Sequence, residues 1–168
     1  MVLILGIDPG TGTTGYGVIV AQGSRLRSMD YGAIRTKAGE EMSERLCVLH
    51  DSLKDLIKAV NPDVVAVEQL FFNTNVTTAL AVGQARGVIL LTAAQAGIPL
   101  AEYTPLQVKQ TVTGHGRATK QQVGFMVKAL LNLETIPRPD DAADALAIAI
   151  CHAHMGASYD NQTRTADL

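Results

Sequence analysis

Apolar runs and amphipathic stretches alternate along the chain, and they predict its order of strands and helices. Residues 2–8 are apolar almost without a break, as in a strand covered on both faces. Two later apolar runs are joined by Gln22-Gly23-Ser24, which indicates a hairpin. The predicted strands are residues 2–8, 16–21, 26–34, 64–67 and 100–103.

The stretches between and after these strands have helical spacing. Leu46, Leu49 and Leu53 show it most clearly, and Thr104 followed by Pro105 is typical of a helix start. The predicted helices are residues 40–60, 73–97, 104–112, 119–131 and 140–155. Early antiparallel strands followed by alternating helix and strand predict an α/β fold, with helices on the faces of a mixed sheet.

Length and composition favour one globular domain. The chain has 168 residues, of which 47% are hydrophobic and 18% charged, and this excludes a disordered protein. We expect a single domain over residues 1–156 and a disordered tail over residues 157–168. The start of the chain lacks a basic segment and no apolar run has the length of a membrane span, so we expect a cytoplasmic protein without a membrane partner.

The net charge of −2 hides an uneven distribution. Residues 81–130 carry one acid, Glu102, against five bases: Arg86, Lys109, Arg117, Lys120 and Lys128. Residues 131–168 are acidic in balance. Such a chain can present a positive face to a nucleic acid although its total charge is negative. The two cysteines, Cys47 and Cys151, lack zinc-site spacing.

The glycines at positions 10, 12 and 15 match the GxGxxG pattern of dinucleotide-binding proteins. That pattern binds a pyrophosphate only when its last glycine opens a helix. Here the residues that follow, Tyr16-Gly-Val-Ile-Val, are typical of a strand. We therefore interpret Gly10–Gly15 as a turn between two strands.

Four acids occupy positions that favour a metal site. Asp8 and Glu68 each end an apolar strand, where a carboxylate seldom lacks a partner. Asp141 and Asp144 lie three residues apart at the start of the last helix, and hence on one face. Taken alone, Asp141 and Asp144 favour helix capping over metal binding, and Asp8 before Pro9 is also typical of a turn. Taken together, the four predict an oxygen-ligated site for Mg²⁺ or Mn²⁺, the kind used in phosphodiester cleavage.

A basic loop and an aromatic pair are candidates for DNA contact. Lys109 and Lys120 flank the glycine-containing loop 114–116, and Arg117 lies beside it, which suits a phosphate backbone. Phe71 and Phe72 follow Glu68 and are able to stack on unpaired bases. The alternatives are a solvated helix face for the lysines and core packing for at least one phenylalanine.

Five blocks resemble the RuvC-type Holliday junction resolvases, in order and at fitting spacing. They run within residues 3 to about 154: Gly6-Ile-Asp-Pro-Gly-Thr-Gly-Thr-Thr-Gly-Tyr-Gly17, Glu68-Gln-Leu-Phe71, Gly83-Gln-Ala-Arg-Gly87, Gln107-Val-Lys-Gln-Thr-Val112 and Asp141-Ala-Ala-Asp-Ala-Leu-Ala-Ile-Ala-Ile150. The resemblance implies a ribonuclease H-like fold with a five-stranded mixed sheet. It also implies a homodimer that makes paired, symmetric, Mg²⁺-dependent nicks in a four-way DNA junction, alongside the RuvA–RuvB branch-migration complex.

The resemblance also implies roles for individual residues. It makes Asp8, Glu68, Asp141 and Asp144 the catalytic, metal-binding set, although some relatives have His at the position of Asp141. It places Lys109 and Lys120 on the DNA backbone and Phe71 on the opened junction bases. Arg86 and Arg117, from the basic middle segment, complete the predicted DNA contacts.

Two other hypotheses compete with the nuclease. One is a nucleotide-binding module, because actin-like and sugar kinases begin with a similar Asp-x-Gly-Thr stretch on a related fold; the second domain of those proteins has no counterpart in a chain this short. The other is a non-catalytic DNA-binding or structural dimer, which an intact set of four carboxylates disfavours.

Overall fold

The computed structural model describes residues 1–69 and 75–163. Within them, the strands are β1 Val2–Asp8, β2 Thr13–Gln22, β3 Arg25–Arg35, β4 Val64–Glu68 and β5 Leu100–Tyr103. The helices are α1 Met42–Val60, α2 Val76–Gln95, α3 Pro105–Thr113, α4 Lys120–Leu130 and α5 Asp140–Thr163.

The strands form one mixed sheet in the order β3-β2-β1-β4-β5. β2 pairs antiparallel with both β1 and β3, whereas β4 is parallel to β1 and to β5. This arrangement confirms the predicted five-stranded mixed sheet. It also places the carboxyl ends of β1 and β4, where Asp8 and Glu68 lie, side by side.

Each face of the sheet has its own apolar core. Ile4, Ala66 and Tyr103 pack with Leu146 and Ile150 of α5 on one face. On the other face, Leu5, Val65 and Val67 pack with apolar residues of α1 and α2, among them Leu53 and Ile89. Because side chains alternate along a strand, residues of even number on β1 and β4 point toward α5.

Helix α5 lies unusually close to β1 and β2 because glycines face it. A Cβ atom on Gly6 would lie 2.1 Å from the carbonyl oxygen of Ala145, and one on Gly15 would lie 2.0 Å from that of Asp141. Both distances are well below van der Waals contact. The glycines therefore set how near the first turn of α5 comes to the strand ends.

The helix starts are fixed locally, as the sequence predicts. The Thr104 hydroxyl accepts a hydrogen bond from the backbone N–H of Gln107, whose side chain accepts one from the Thr104 backbone. Thr119 and Gln122 make the same reciprocal pair at the start of α4. Two of the four orphan donors of each helix are thereby satisfied.

Several element boundaries differ from the prediction, and α2, for example, spans Val76–Gln95 rather than residues 73–97. β2 begins at Thr13 rather than residue 16, because Thr13 pairs with Arg35 of β3 and Gly15 pairs with Asp8 of β1. α1 begins at Met42 rather than residue 40. α5 continues to Thr163, into the segment from residue 157 onward for which a disordered tail is predicted. Residues 164–168 lie outside the described part of the chain. The single-domain assignment stays a prediction.

The Gly10–Gly15 pattern does not open a helix. Gly15 lies inside β2, opposite Asp8 of β1, and no helix follows it before Met42. The structure therefore supports a turn at Gly10–Gly12 but places Gly15 within β2, and it removes the geometric basis for a dinucleotide site at this loop.

By length and composition, α2 is apolar enough to cross a membrane, and 22% of its most apolar window is buried. This differs from the expectation that no apolar run has that length. The helix packs against α1 and covers the sheet through Ala85 and Ile89, so its apolar character has a structural reason within an α/β layer.

Candidate active site

The parallel pairing of β1 and β4 brings the first two predicted carboxylates together. Ile7 pairs with Val67, and Asp8 and Glu68 are the next residue on each strand. Both side chains point to the α5 face, since Gly6 and Ala66, two residues earlier, contact α5 or its core. Sequence alone placed each acid at a strand end, and the sheet order makes these ends neighbours.

The first turns of α5 supply the other two carboxylates. Asp141 and Asp144 lie one helical turn apart, and the backbone of Asp141 lies directly over Gly15, the residue paired with Asp8. The structure thus brings Asp8, Glu68, Asp141 and Asp144 to one end of the sheet. Their electrostatic effects on one another agree with this placement.

Burial and mutual repulsion disfavour the charged forms of Asp8, Glu68 and Asp144. Desolvation, and then the negative charges of Asp144, Glu68 and Asp141, raise the pKa of Asp8 from 3.8 to about 8. Desolvation and the charge of Asp144 raise the pKa of Glu68 from 4.5 to about 7. Burial also raises the pKa of Asp144, although the Lys120 ammonium opposes this. Buried carboxylates of this kind call for a compensating cation.

Two lysines stand beside the carboxylates. The Lys120 Nζ atom lies 3.0 Å from Asp144 Oδ2, and the lysine side chain remains 63% exposed. The positive charge of Lys109 lowers the pKa of Glu68. Both lysines line a cavity of about 260 Å³ together with Glu68 and Asp144. The lining of the cavity therefore combines two carboxylates with two ammonium groups.

The residues fit divalent cations in chemistry, and partly in geometry. Within residues 1–69 and 75–163, no hydrogen bond or ion pair neutralises the carboxylate of Asp8 or Glu68. Four hard oxygen donors suit Mg²⁺ or Mn²⁺. Among the described side chains, however, no three metal-ligating groups already stand together as a ready site. Lys120 takes up one oxygen of Asp144, so closing the site around an ion requires side-chain rotation.

The predicted DNA contacts fall into three groups. Lys109 and Lys120 lie beside the carboxylates, and Arg117 is exposed in the loop before α4. Arg86 is different: its guanidinium pairs with Glu102 and donates to the Glu68 backbone, and its side chain is only 19% exposed. Phe71 lies outside the described residues. A DNA role for each of these residues stays a prediction.

Gly15 helps to form the site, a role that the GxGxxG pattern by itself does not indicate. Its lack of a side chain admits the backbone of Asp141 against β2. A glycine within a strand often marks close approach of another backbone, and this was the available signal.

Comparison with known proteins agrees with this geometry. The chain matches, over residues 4–152, the family model described as "Crossover junction endodeoxyribonuclease RuvC". It is 62% identical to the protein of that name from Desulfitobacterium hafniense over 152 residues, which cover 90% of this chain and 92% of that one. It is 60% identical to the Moorella thermoacetica protein over 151 residues, with 90% of each chain covered.

Solved structures give the same result. Thermus thermophilus RuvC in complex with a Holliday junction substrate superposes with a TM-score of 0.87 at 38% identity, over 93% of this chain and 95% of that one. The yeast mitochondrial Holliday junction resolvase shares the fold, with a TM-score of 0.68 at 16% identity, over 94% of this chain and 80% of that one.

The five-stranded mixed sheet and its match to solved structures show a ribonuclease H-like fold, and the curated relatives place the chain among hydrolytic nucleases. Within that class, the chain belongs to the RuvC family of crossover junction endodeoxyribonucleases, which act in DNA recombination. Nucleases of this family depend on a metal ion. The resemblance stated from the five sequence blocks is thereby confirmed.

Proposed function

We propose that this chain resolves four-way DNA junctions by hydrolysing one phosphodiester in each of two symmetric strands, with Asp8, Glu68, Asp141 and Asp144 as its catalytic carboxylates. The single observation that carries the assignment is their convergence at one end of the sheet, where burial and repulsion raise the pKa of Asp8 to about 8. The junction is chosen as substrate because the Thermus relative was solved in complex with one.

Mg²⁺ is the proposed cofactor, with Mn²⁺ as a possible substitute. The four carboxylates would hold the ions, which supply Lewis-acid activation of water and stabilise the leaving oxygen. Within the chain itself, Lys109 and Lys120 line the cavity beside Glu68 and Asp144, where they would direct a phosphate toward the carboxylates. Arg117, and Phe71 after Glu68, are proposed to hold the flanking DNA.

A homodimer is proposed because two symmetric nicks need two active sites. Exposed apolar side chains on one face of α2 support it: Leu80 is 62% exposed and Leu91 is 56% exposed. Spacings of four, four, three and four residues place Val76, Leu80, Gln84, Gly87 and Leu91 on this face. An exposed uncharged stripe of this kind is typical of a protein contact.

Three further assignments follow the family. We propose that residues 1–156 suffice for nuclease activity, that the protein acts with the RuvA–RuvB branch-migration complex, and that it works in the cytoplasm. Activity of a chain ending at residue 156, and stimulation of nicking by added RuvA–RuvB, would test the first two. Fluorescence microscopy of a tagged chain would test the third.

The decisive experiment compares three DNA substrates: a four-way junction, a linear duplex with the same arms, and a splayed arm. Each is incubated with MgCl₂ and with EDTA. We expect paired nicks in the junction alone, and only with MgCl₂. Equal cutting of the linear duplex would contradict junction specificity, and cutting in EDTA would contradict the metal role of the carboxylates.

A further inference from the structure

Arg86 lies behind the sheet, away from the face that carries the catalytic carboxylates. Its neighbour Ala85 packs with Val65 and Val67 in the core between α2 and the sheet. Glu68 points to the opposite face, toward α5, because it follows Val67 by one residue. Arg86 and the Glu68 carboxylate therefore lie on opposite faces of the sheet.

The contacts of Arg86 nonetheless reach the backbone of Glu68. Its Nε atom donates a hydrogen bond of 3.3 Å to the Glu68 carbonyl oxygen, and its Nη2 atom pairs with the Glu102 carboxylate on β5. The Gln69 backbone N–H donates to the carbonyl oxygen of Tyr103 at 2.7 Å. The end of β4 is therefore fixed from α2 and from β5, immediately before residues 70–74.

We propose that Arg86 is a positioning residue for Glu68: it holds the backbone at which this carboxylate leaves the sheet and thereby fixes the direction from which it reaches the metal. The inference rests on the proposed function, in which Glu68 binds metal. It replaces the predicted role of Arg86 as a DNA ligand.

The chemistry of arginine explains the residue type. A guanidinium is planar and offers separate donors along different edges, so one side chain serves both a carbonyl and a carboxylate. Lysine carries a single ammonium on a flexible stem and cannot hold both partners in fixed directions. Glu102 leaves Arg86 with little net charge to offer a phosphate.

Three variants distinguish positioning from DNA binding. Arg86→Gln removes both contacts, Arg86→Lys keeps a charge for Glu102, and Arg117→Gln changes an exposed arginine with a predicted DNA role. The affinity of each free protein for MnCl₂ is measured by titration calorimetry. Junction affinity is measured in EDTA over a range of NaCl concentrations, and the nicking rate at saturating junction.

We expect Arg86→Gln to weaken MnCl₂ binding about 10-fold or more and to slow nicking similarly, as when a partner of a metal ligand is removed. Its junction affinity and salt dependence should stay within about twofold of wild type. Arg86→Lys should recover part of the MnCl₂ affinity. Arg117→Gln should show the reverse pattern: weaker junction binding, a salt slope lower by about one, and unchanged MnCl₂ affinity.

The proposal is overturned if Arg86→Gln weakens junction binding but not MnCl₂ binding, or changes neither. If that variant does not fold, Arg86→Lys and Glu102→Gln are compared by the same titration, and MnCl₂ affinity equal to wild type in both is the refuting result. If the wild-type protein binds MnCl₂ without nicking the junction, the proposed function fails, while the titrations still decide the positioning role.

Discussion

Replacing Asp8 with Asn should stabilise the metal-free protein while removing its activity. The amide keeps the size of the side chain but has no charge to bury. Folding raises the pKa of Asp8 from 3.8 to about 8. At about 1.36 kcal/mol per pKa unit, ionising Asp8 costs at most about 6 kcal/mol more in the folded protein than in the unfolded chain. Side-chain rearrangement and water entry lower this ceiling, so we expect a gain on the order of 2 kcal/mol at pH 9.

The sign of the pH dependence follows from the direction of the shift. A carboxyl whose pKa is raised on folding contributes stability below its unfolded value, and this contribution is lost as the pH rises through the folded value. The wild-type protein should therefore lose stability relative to Asp8→Asn between about pH 4 and pH 8, with little further change above. At pH 4 the two proteins should be nearly equal.

Urea unfolding in EDTA at pH 5 and pH 9 measures the difference. Asp51→Asn, on the exposed surface of α1, is the matched control and should change stability little at either pH. MgCl₂ at about 100 times its dissociation constant should stabilise wild type by about 2.7 kcal/mol at pH 8 and Asp8→Asn much less. Asp8→Asn should still bind the junction but not nick it. A variant less stable than wild type at pH 9 would refute the burial of a costly charge.

Three further outcomes follow from other contacts. Gly15→Ala should lower the melting temperature and slow nicking at least 10-fold, because the new methyl group meets the Asp141 carbonyl oxygen. Circular dichroism melts and nicking assays test this, and a normal nicking rate would contradict it. Lys120→Met should bind MnCl₂ several-fold more tightly at pH 8 yet nick more slowly, since the ammonium that contacts Asp144 competes with an ion but serves the phosphate. Lys109→Met is its control in the same calorimetry and should change MnCl₂ affinity less; equal effects would argue against specific competition. Leu80→Glu should shift the protein to monomers in analytical ultracentrifugation, and an unchanged dimer would place the interface away from α2.

Local patterns in the sequence determined most of the elements. Apolar residues at alternate positions indicated strands, and apolar residues three to four positions apart indicated helices. Thr104 and Thr119 fix two helix starts through contacts within four residues. The acids that end apolar strands, Asp8 and Glu68, together with Asp141 and Asp144, predicted a site because burying a charge without a partner is unfavourable. Such features depend on near neighbours in the chain and so can be recognised without the fold.

Tertiary structure alone decided how these parts meet. The strand order makes β1 and β4 neighbours, and the glycine contact under Asp141 sets the approach of α5 to Asp8. Arg86 counted as one more base in a basic segment until the sheet placed it behind Glu68. Distances between residues far apart in sequence arise from packing of whole layers, and no local spacing encodes them.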